Sequence, residues 1–273
     1  MTAHTLDRLR VTAHNVGEPY LRWLIGTCET FDAMMEGRLS DAEVLAAEAL
    51  DFGLQIGAPD AFAMYAAQLF VLGTFAGRHG ELLPLVEQAA RENPSVLPFK
   101  LAYGIICAAV QRDDIARQIL HEGTEAGFAE LPVDNLWMTS VIGFAILAIE
   151  LDDIEAAGQL FPIIEPFATE VAFNGISSQG PVAAYLGKLA SLLGRHEEAE
   201  HYLSAALAVA TEFGWTYHQA TTLFALAQSR HRRLGVLDED AGRWLSEASE
   251  LCRVGGFRSW VGRIDALAAT IRG

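Results

Sequence analysis

Apolar positions along this chain return at steps of three and four. In YLGKLASLLGRHEEAEHYLSAALAVATEFG, residues 185–214, Ala199, Leu203, Ala206, Ala210 and Phe213 share one face of a helix. That helix starts near His196, after a first helix ending at Gly194, and stops at Gly214, a glycine in the C-cap position. The same pattern returns in EGRLSDAEVLAAEAL (Gly37, then Ala42, Ala46 and Ala49) and in AGRHGELLPLVEQAA (Gly77, with leucines for the small residue). It returns again in VQRDDIARQILHEG (Gln111, Ala116, Leu120), ELDDIEAAGQLFPII (Leu151, Ala156, Leu160) and LGVLDEDAGRWLSEA (Gly235, Ala241, Ala248). Alternation of β-branched residues is scarce, and Gly and Pro fall between the periodic segments, so the predicted class is all-α.

These helix–turn–helix units resemble tetratricopeptide repeats. Leu186 and Gly187 match the Leu-Gly pair of that family's first helix, Gly194 its turn, and Ala199, Leu203 and Ala206 the small and large positions of its second helix. Small residues at those places let antiparallel helices approach closely while the larger ones fill the gaps. Turns at Gly37, Gly77, Gln111, Leu151, Gly194 and Gly235 give steps of 34 to 43 residues, mostly above the family's pitch of about 34. The expected architecture is a right-handed α-solenoid of about six TPR-like repeats in a single domain over residues 1–273. Within it, 1–17 form a partial repeat or cap, 18–254 the repeats, and 255–273 a C-terminal capping helix. Leu6, Leu9 and Val16 are expected on the second helix of an incomplete first unit or on a natural cap. The chain is accordingly read either as a fragment of something larger or as complete.

Three blocks carry a closer resemblance: QLFVLGTFAGRHGELLPLVEQAARENPSV, LPVDNLWMTSVIGFAILAIELDD and GPVAAYLGKLASLLGRHEEAEHYLSAALAVATEFGW. Over roughly residues 18–256 they resemble the C-terminal repeat region of large actinobacterial regulators. There a class III adenylate/guanylate cyclase domain, or a LuxR- or SARP-type DNA-binding domain, accompanies a STAND-type ATPase. The resemblance implies a sensing or partner-binding role and carries over no catalytic site, because the upstream domains are not in this chain.

Composition narrows the function. The formal net charge is −16, from 35 acidic residues against 19 Lys+Arg. Phosphate neutralisation needs a basic surface, so direct nucleic-acid binding and docking on anionic lipid are not expected. The longest apolar run, MTSVIGFAILAI, is twelve residues, short of the roughly 18 that span a bilayer, and reads as a buried helix. Cys28, Cys107 and Cys252 are scattered, without a C-x-x-C pair, which fits buried thiols in a reduced cytoplasmic protein. No apolar signal segment opens the chain.

Catalytic motifs are approached and missed. His196 and His201 in HEEAEH stand at i and i+5, roughly 140° apart around a helix at about 100° per residue, so they cannot share a zinc as H-E-x-x-H does. The stretch reads as a solvated first turn, with Glu197 and Glu198 favoured there by the helix dipole. GPVAAYLGKL separates its glycines by six residues and lacks the hydroxyl of a P-loop. Asp113-Asp114 and Asp152-Asp153 read as helix-start residues. No cofactor and no metal are expected, and no catalytic residue is assigned.

A binding surface remains. Inner helices of a solenoid line its concave face, and here they carry Arg22, Trp23, Tyr65, Gln68, Lys100, Tyr103, Trp137, Gln179, Tyr185, Lys188, Tyr217 and His218 as ligand or partner candidates. The expected function is a non-catalytic sensor or scaffold region of a bacterial signalling or transcriptional regulator. Its partner would be a protein or a small-molecule effector, and homodimerisation stays open. A free-standing adaptor bridging proteins is the alternative, and an enzyme with an unrecognised helical-cavity site the remote one.

Overall fold

A computed structural model describes residues 11–13, 17–128, 131–174 and 177–270; the expectations placed on Leu6, Leu9 and Val16 lie outside them. Apart from one hairpin and the turns and loops between them, the described elements are helices: α1 (Pro19–Met35), α2 (Leu39–Gln55), α3 (Ala61–Phe75), α4 (His79–Glu92), α5 (Leu97–Ala109), α6 (Asp113–Glu125), α7 (Trp137–Glu150), α8 (Ile154–Ile164), with a short 3-10 turn after it (Glu165–Phe167), α9 (Val182–Leu192), α10 (His196–Glu212), α11 (Thr216–Leu234), α12 (Glu239–Gly255) and α13 (Arg258–Ala269). Each helix packs on the next, giving a helical repeat-like stack.

The turns explain the pairing. Gly37, with φ of 79°, ends α1: its N–H bonds to Met34 O, and the Arg38 N–H reaches back to Ala33 O at 2.9 Å. This is the Schellman arrangement, which needs a residue in the left-handed region. The same six-to-one bond recurs at Arg78→Gly73, Arg112→Cys107, Asp153→Ala148 and Arg195→Ala190. In the fourth unit the left-handed residue is Asp152 (φ 49°), one position beyond the expected Leu151. Aspartate tolerates that conformation better than leucine, and the shift leaves Leu151 buried.

The predicted small faces are interior. Ala42, Ala46, Ala49, Ala116, Ala156, Ala199, Ala206, Ala241 and Ala248 are all buried. At Gly187 an added Cβ would come within 2.5 Å of Leu203 Cγ, so α9 and α10 touch along the Leu-Gly pair. Phe213 departs from its expected face: it is 38% exposed and stacks on Trp215. Of the thiols, Cys107 and Cys252 are buried, whereas Cys28 is half-buried. The twelve-residue apolar run lies inside α7, which is mostly buried. No described helix is long and apolar enough to cross a membrane.

Two features go beyond a simple stack. Between α8 and α9 the chain forms an antiparallel hairpin, β1 (Val171–Phe173) with β2 (Ser178–Pro181), pairing Ala172 with Gly180. Its Phe173 reaches Phe31 of α1, ring centroids 5.8 Å apart. The C-terminal helices also meet the N-terminal turns. Thr216 Oγ1 donates to Glu36 O at 2.8 Å, Phe257 packs on Gly37, and Ser259 packs on Gly77. Arg232 pairs with Asp152, and Arg263 takes both carboxylate oxygens of Glu150. One hydrophobic cluster accordingly joins Met34, Met35, Leu72 and Phe75 to Trp215, Leu223, Leu245, Phe257 and Ile264. The segment expected to cap the end of the stack, α13, packs on α12 and also meets the early and middle repeats through Ser259 and Arg263.

Candidate functional site

Beside the contacts between the N- and C-terminal helices lies an inner cluster of polar and aromatic side chains. Its first part comes from the hairpin and α9. The Ser178 hydroxyl donates to Ala172 O and accepts from the Gly180 N–H, both at 2.9 Å. Gly180 has φ of 85°, and a Cβ there would stand 2.5 Å from His218 Nδ1, so the imidazole lies directly on the glycine backbone. One turn into α9, the Tyr185 hydroxyl donates to Gln179 O at 2.7 Å and ties the helix to the strand. Lys188 follows three positions later on the same face, its Nζ 5.5 Å from the centre of the Tyr185 ring.

The second part is the start of α11. Tyr217 stacks on Phe75 of α3 at 3.7 Å and 9°, meets Phe257 edge-on at 5.2 Å, and accepts a hydrogen bond from Trp260 Nε1 at 3.1 Å. His218 is held by the edges of Phe75, Trp215 and Tyr217. Glu150, at the end of α7, and Arg263, lying 4.8 Å over Trp260, complete the surround as a bidentate pair.

The electrostatics follow from burial. Burial lowers the Lys188 ammonium from 10.5 to about 8; Glu150 opposes the shift and Arg263 adds to it. Burial, reinforced by the Lys188 charge, lowers His218 to about 3, so its imidazole is neutral. Burial lifts the Tyr217 phenol to about 12 and raises Tyr185 as well. His79 is lowered by burial and by Arg263, against Glu150. Lys188, Tyr217 and Gln179 keep part of their surface accessible despite these surroundings. Two polar atoms in this region have no partner among the described residues: His218 Nε2 and Gln179 Oε1.

Of the twelve candidates, Gln179, Tyr185, Lys188, Tyr217 and His218 converge here. The other seven do not join them. Trp23 is fully buried, its Nε1 close against Gly53, and Gln68 is buried with Nε2 donating to Thr27 O at 2.9 Å. Arg22 is exposed, its guanidinium 5.1 Å from the Phe52 ring centre. Tyr65 is half-buried on α3, Tyr103 sits on α5 beside Cys107, and Trp137 packs on Phe167 at 5.2 Å. Lys100 pairs with Glu122 at a separate cleft of about 200 Å³, floored by Leu97, Ile119, Phe128 and Phe144. Phe75, Glu150, Trp260 and Arg263 were not legible as site residues, because each joins this cluster only through contacts between distant repeats.

HEEAEH opens α10, with Glu197 and Glu198 in its first turn. His196 faces Glu200 and Arg230, whereas His201 rests on Tyr202. Asp153 caps α8 by accepting from the Ala156 N–H; Asp113 and Asp114 occupy the first turn of α6 without a side-chain cap. Among the described residues no group of three His, Cys, Asp or Glu is placed to hold a metal. Comparison with protein-family models and with curated proteins finds no match to this chain.

Proposed function

We propose that this chain is a non-catalytic binding region, a right-handed superhelix of TPR-like units that serves as the sensor or scaffold part of a bacterial signalling or transcriptional regulator. The observation that carries this reading is the convergence of Gln179, Tyr185, Lys188, Tyr217 and His218 between the hairpin, α9 and the start of α11, beside the contacts that join the N- and C-terminal helices. Solenoids take their partners on their inner face. An effector bound to these residues would act on the same contacts that hold the N- and C-terminal helices together. Its differential affinity for the closed and opened arrangements would shift an attached effector domain between states.

The test uses the native full-length polypeptide. A metabolite library is screened by thermal shift, and hits are assayed for their effect on the output of the adjoining domains. Hits are expected to raise Tm, to protect α1 and α11 from hydrogen exchange, and to change that output. If folded variants of Lys188 and His218 respond as wild type to every effector, or if the gene encodes no further domain, the reading falls.

A further inference from the structure

The cleft beside Lys100 is apart from the inner cluster and has a volume of about 200 Å³. Helix spacing builds two of its sides. Leu97 and Lys100 share a face of α5, and Ile119, Glu122 and Gly123 share a face of α6. Its floor is apolar, with Ile119, Phe128 and Phe144 all buried. Phe128 and Phe144 meet edge to face, ring centroids 5.0 Å apart. Gly123 makes room for them, since a Cβ there would stand 2.7 Å from each ring. Phe128 is held at φ of 57°, a region that a bulky residue rarely occupies. Its N–H bonds to Gly123 O at 3.0 Å and keeps the ring turned into the floor. Strain of this kind gathers at ligand sites. The rim is charged: Lys100 Nζ pairs with Glu122 across the gap between the two helices, their side chains 39% and 46% exposed. Among the described residues that line the cleft, these two carry the only polar side chains. One cation and one anion thus stand side by side over an apolar floor.

We propose that this cleft binds a free α-amino acid with an apolar side chain. Lys100 Nζ donates to the ligand carboxylate, a Glu122 carboxylate oxygen accepts from the ligand ammonium, and the side chain lies on Ile119, Phe128 and Phe144. This is a second site, and it does not depend on the role given to the inner cluster. Charge selects the ligand. A monoanion would satisfy Lys100 and be repelled by Glu122, and an amine would meet the reverse. An α-amino acid brings both signs on neighbouring groups, whereas a peptide terminus brings one. The pair does not have to separate, because an ammonium has further N–H donors and a carboxylate further lone pairs. An ion pair this exposed also holds its partners weakly. Size sets the side chain. An apolar cavity of about 150 Å³ admits benzene, so this one takes a single phenyl or branched aliphatic group.

Calorimetric titration of the full chain with L-phenylalanine and L-leucine tests this. 3-Phenylpropionate lacks the ammonium, phenethylamine lacks the carboxylate and glycine lacks the side chain, and each is expected to bind at least about tenfold more weakly than L-phenylalanine. Lys100→Met and Glu122→Gln, both at half-exposed positions, are each expected to weaken L-phenylalanine by about tenfold or more. The bound ligand is expected to slow hydrogen exchange in α5, in α6 and around Phe128. Should a variant not fold, the wild-type ligand series and the exchange map decide alone. No saturable binding of either amino acid up to about 10 mM overturns the proposal. Equal affinity for 3-phenylpropionate or phenethylamine overturns it too, since the cleft would then hold any apolar body. Unchanged affinity in both folded variants, or protection elsewhere in the chain, places the ligand at another site and also overturns it. Lys188→Met and His218→Gln are expected to leave amino-acid binding unmoved, so failure at this cleft leaves the inner-cluster reading standing, and failure of that reading leaves this cleft standing.

Discussion

Gly180→Ala tests whether His218 rests directly on the hairpin backbone. Two costs arise from the structure. At φ of 85° an L-residue occupies a region that only glycine adopts freely, a strain of about 1–2 kcal/mol. The new methyl would also stand 2.5 Å from His218 Nδ1. The imidazole cannot retreat, because Phe75, Trp215 and Tyr217 hold its edges at 6.0, 6.1 and 5.4 Å. Overpacking of this kind costs about 1–3 kcal/mol, for a total of about 2–5 kcal/mol. Urea unfolding at neutral pH measures the loss. His218→Ala removes the clash but not the strain. In a double-mutant cycle the pair is therefore expected to be less destabilised than the sum of the single variants, by about 1–3 kcal/mol. A Gly180→Ala cost under about 0.5 kcal/mol, or strict additivity with His218→Ala, would refute the placement of His218 on the hairpin backbone.

Phe257 is fully buried between Gly37, Gly255, Phe75 and Tyr217. Phe257→Ala is expected to cost about 3–5 kcal/mol and to speed hydrogen exchange in α1 and α11 before α5 and α6; a uniform rise would contradict closure of the stack at this residue. Lys188 titrates at about 8 in the fold against 10.5 unperturbed, so the unfolded chain holds the extra proton between those values. Stability is therefore expected to rise from pH 8 to 10.5, by at most about 3 kcal/mol, and urea midpoints for Lys188→Met should lack that rise. His218 runs from 6.5 to about 3. Its neutral form in the fold makes stability fall as the pH drops through that window, and His218→Gln should remove that component.

Much of the helical stack was legible because it is local. A three-and-four period, a small residue early in the second helix of most units and a Leu-Gly pair are set by helix geometry and close helix contact. Ala42, Ala116, Ala199 and Gly187 are interior as their spacing implied. The misplacements were local as well. The turn named at Leu151 has its left-handed residue at the neighbouring Asp152, and Phe213 left its face at a helix end, where periodicity no longer constrains a side chain. The hairpin escaped notice because strands of three and four residues are too short for an alternation to show.

The candidate site divides in the same way. Tyr185 and Lys188 share a helix face by their spacing alone, and Tyr217 and His218 stand at the start of a predicted helix. That these pairs meet, and that Trp23 and Gln68 serve packing and a backbone tie instead, depends on how successive repeats rotate. Each repeat touches mainly its neighbours, so a small rotation at each junction accumulates along the stack. Thr216 meets Glu36 across 180 residues, and Arg263 meets Glu150 across 113. Sequence alone determined the helices, their turns and the small residues that let them pair, all of which are short-range properties of the backbone. Tertiary structure alone decided that the ends close on each other, that Glu150 is spent on Arg263, and that His218 rests on the backbone of Gly180, because each depends on the sum of many junction angles and on no single residue.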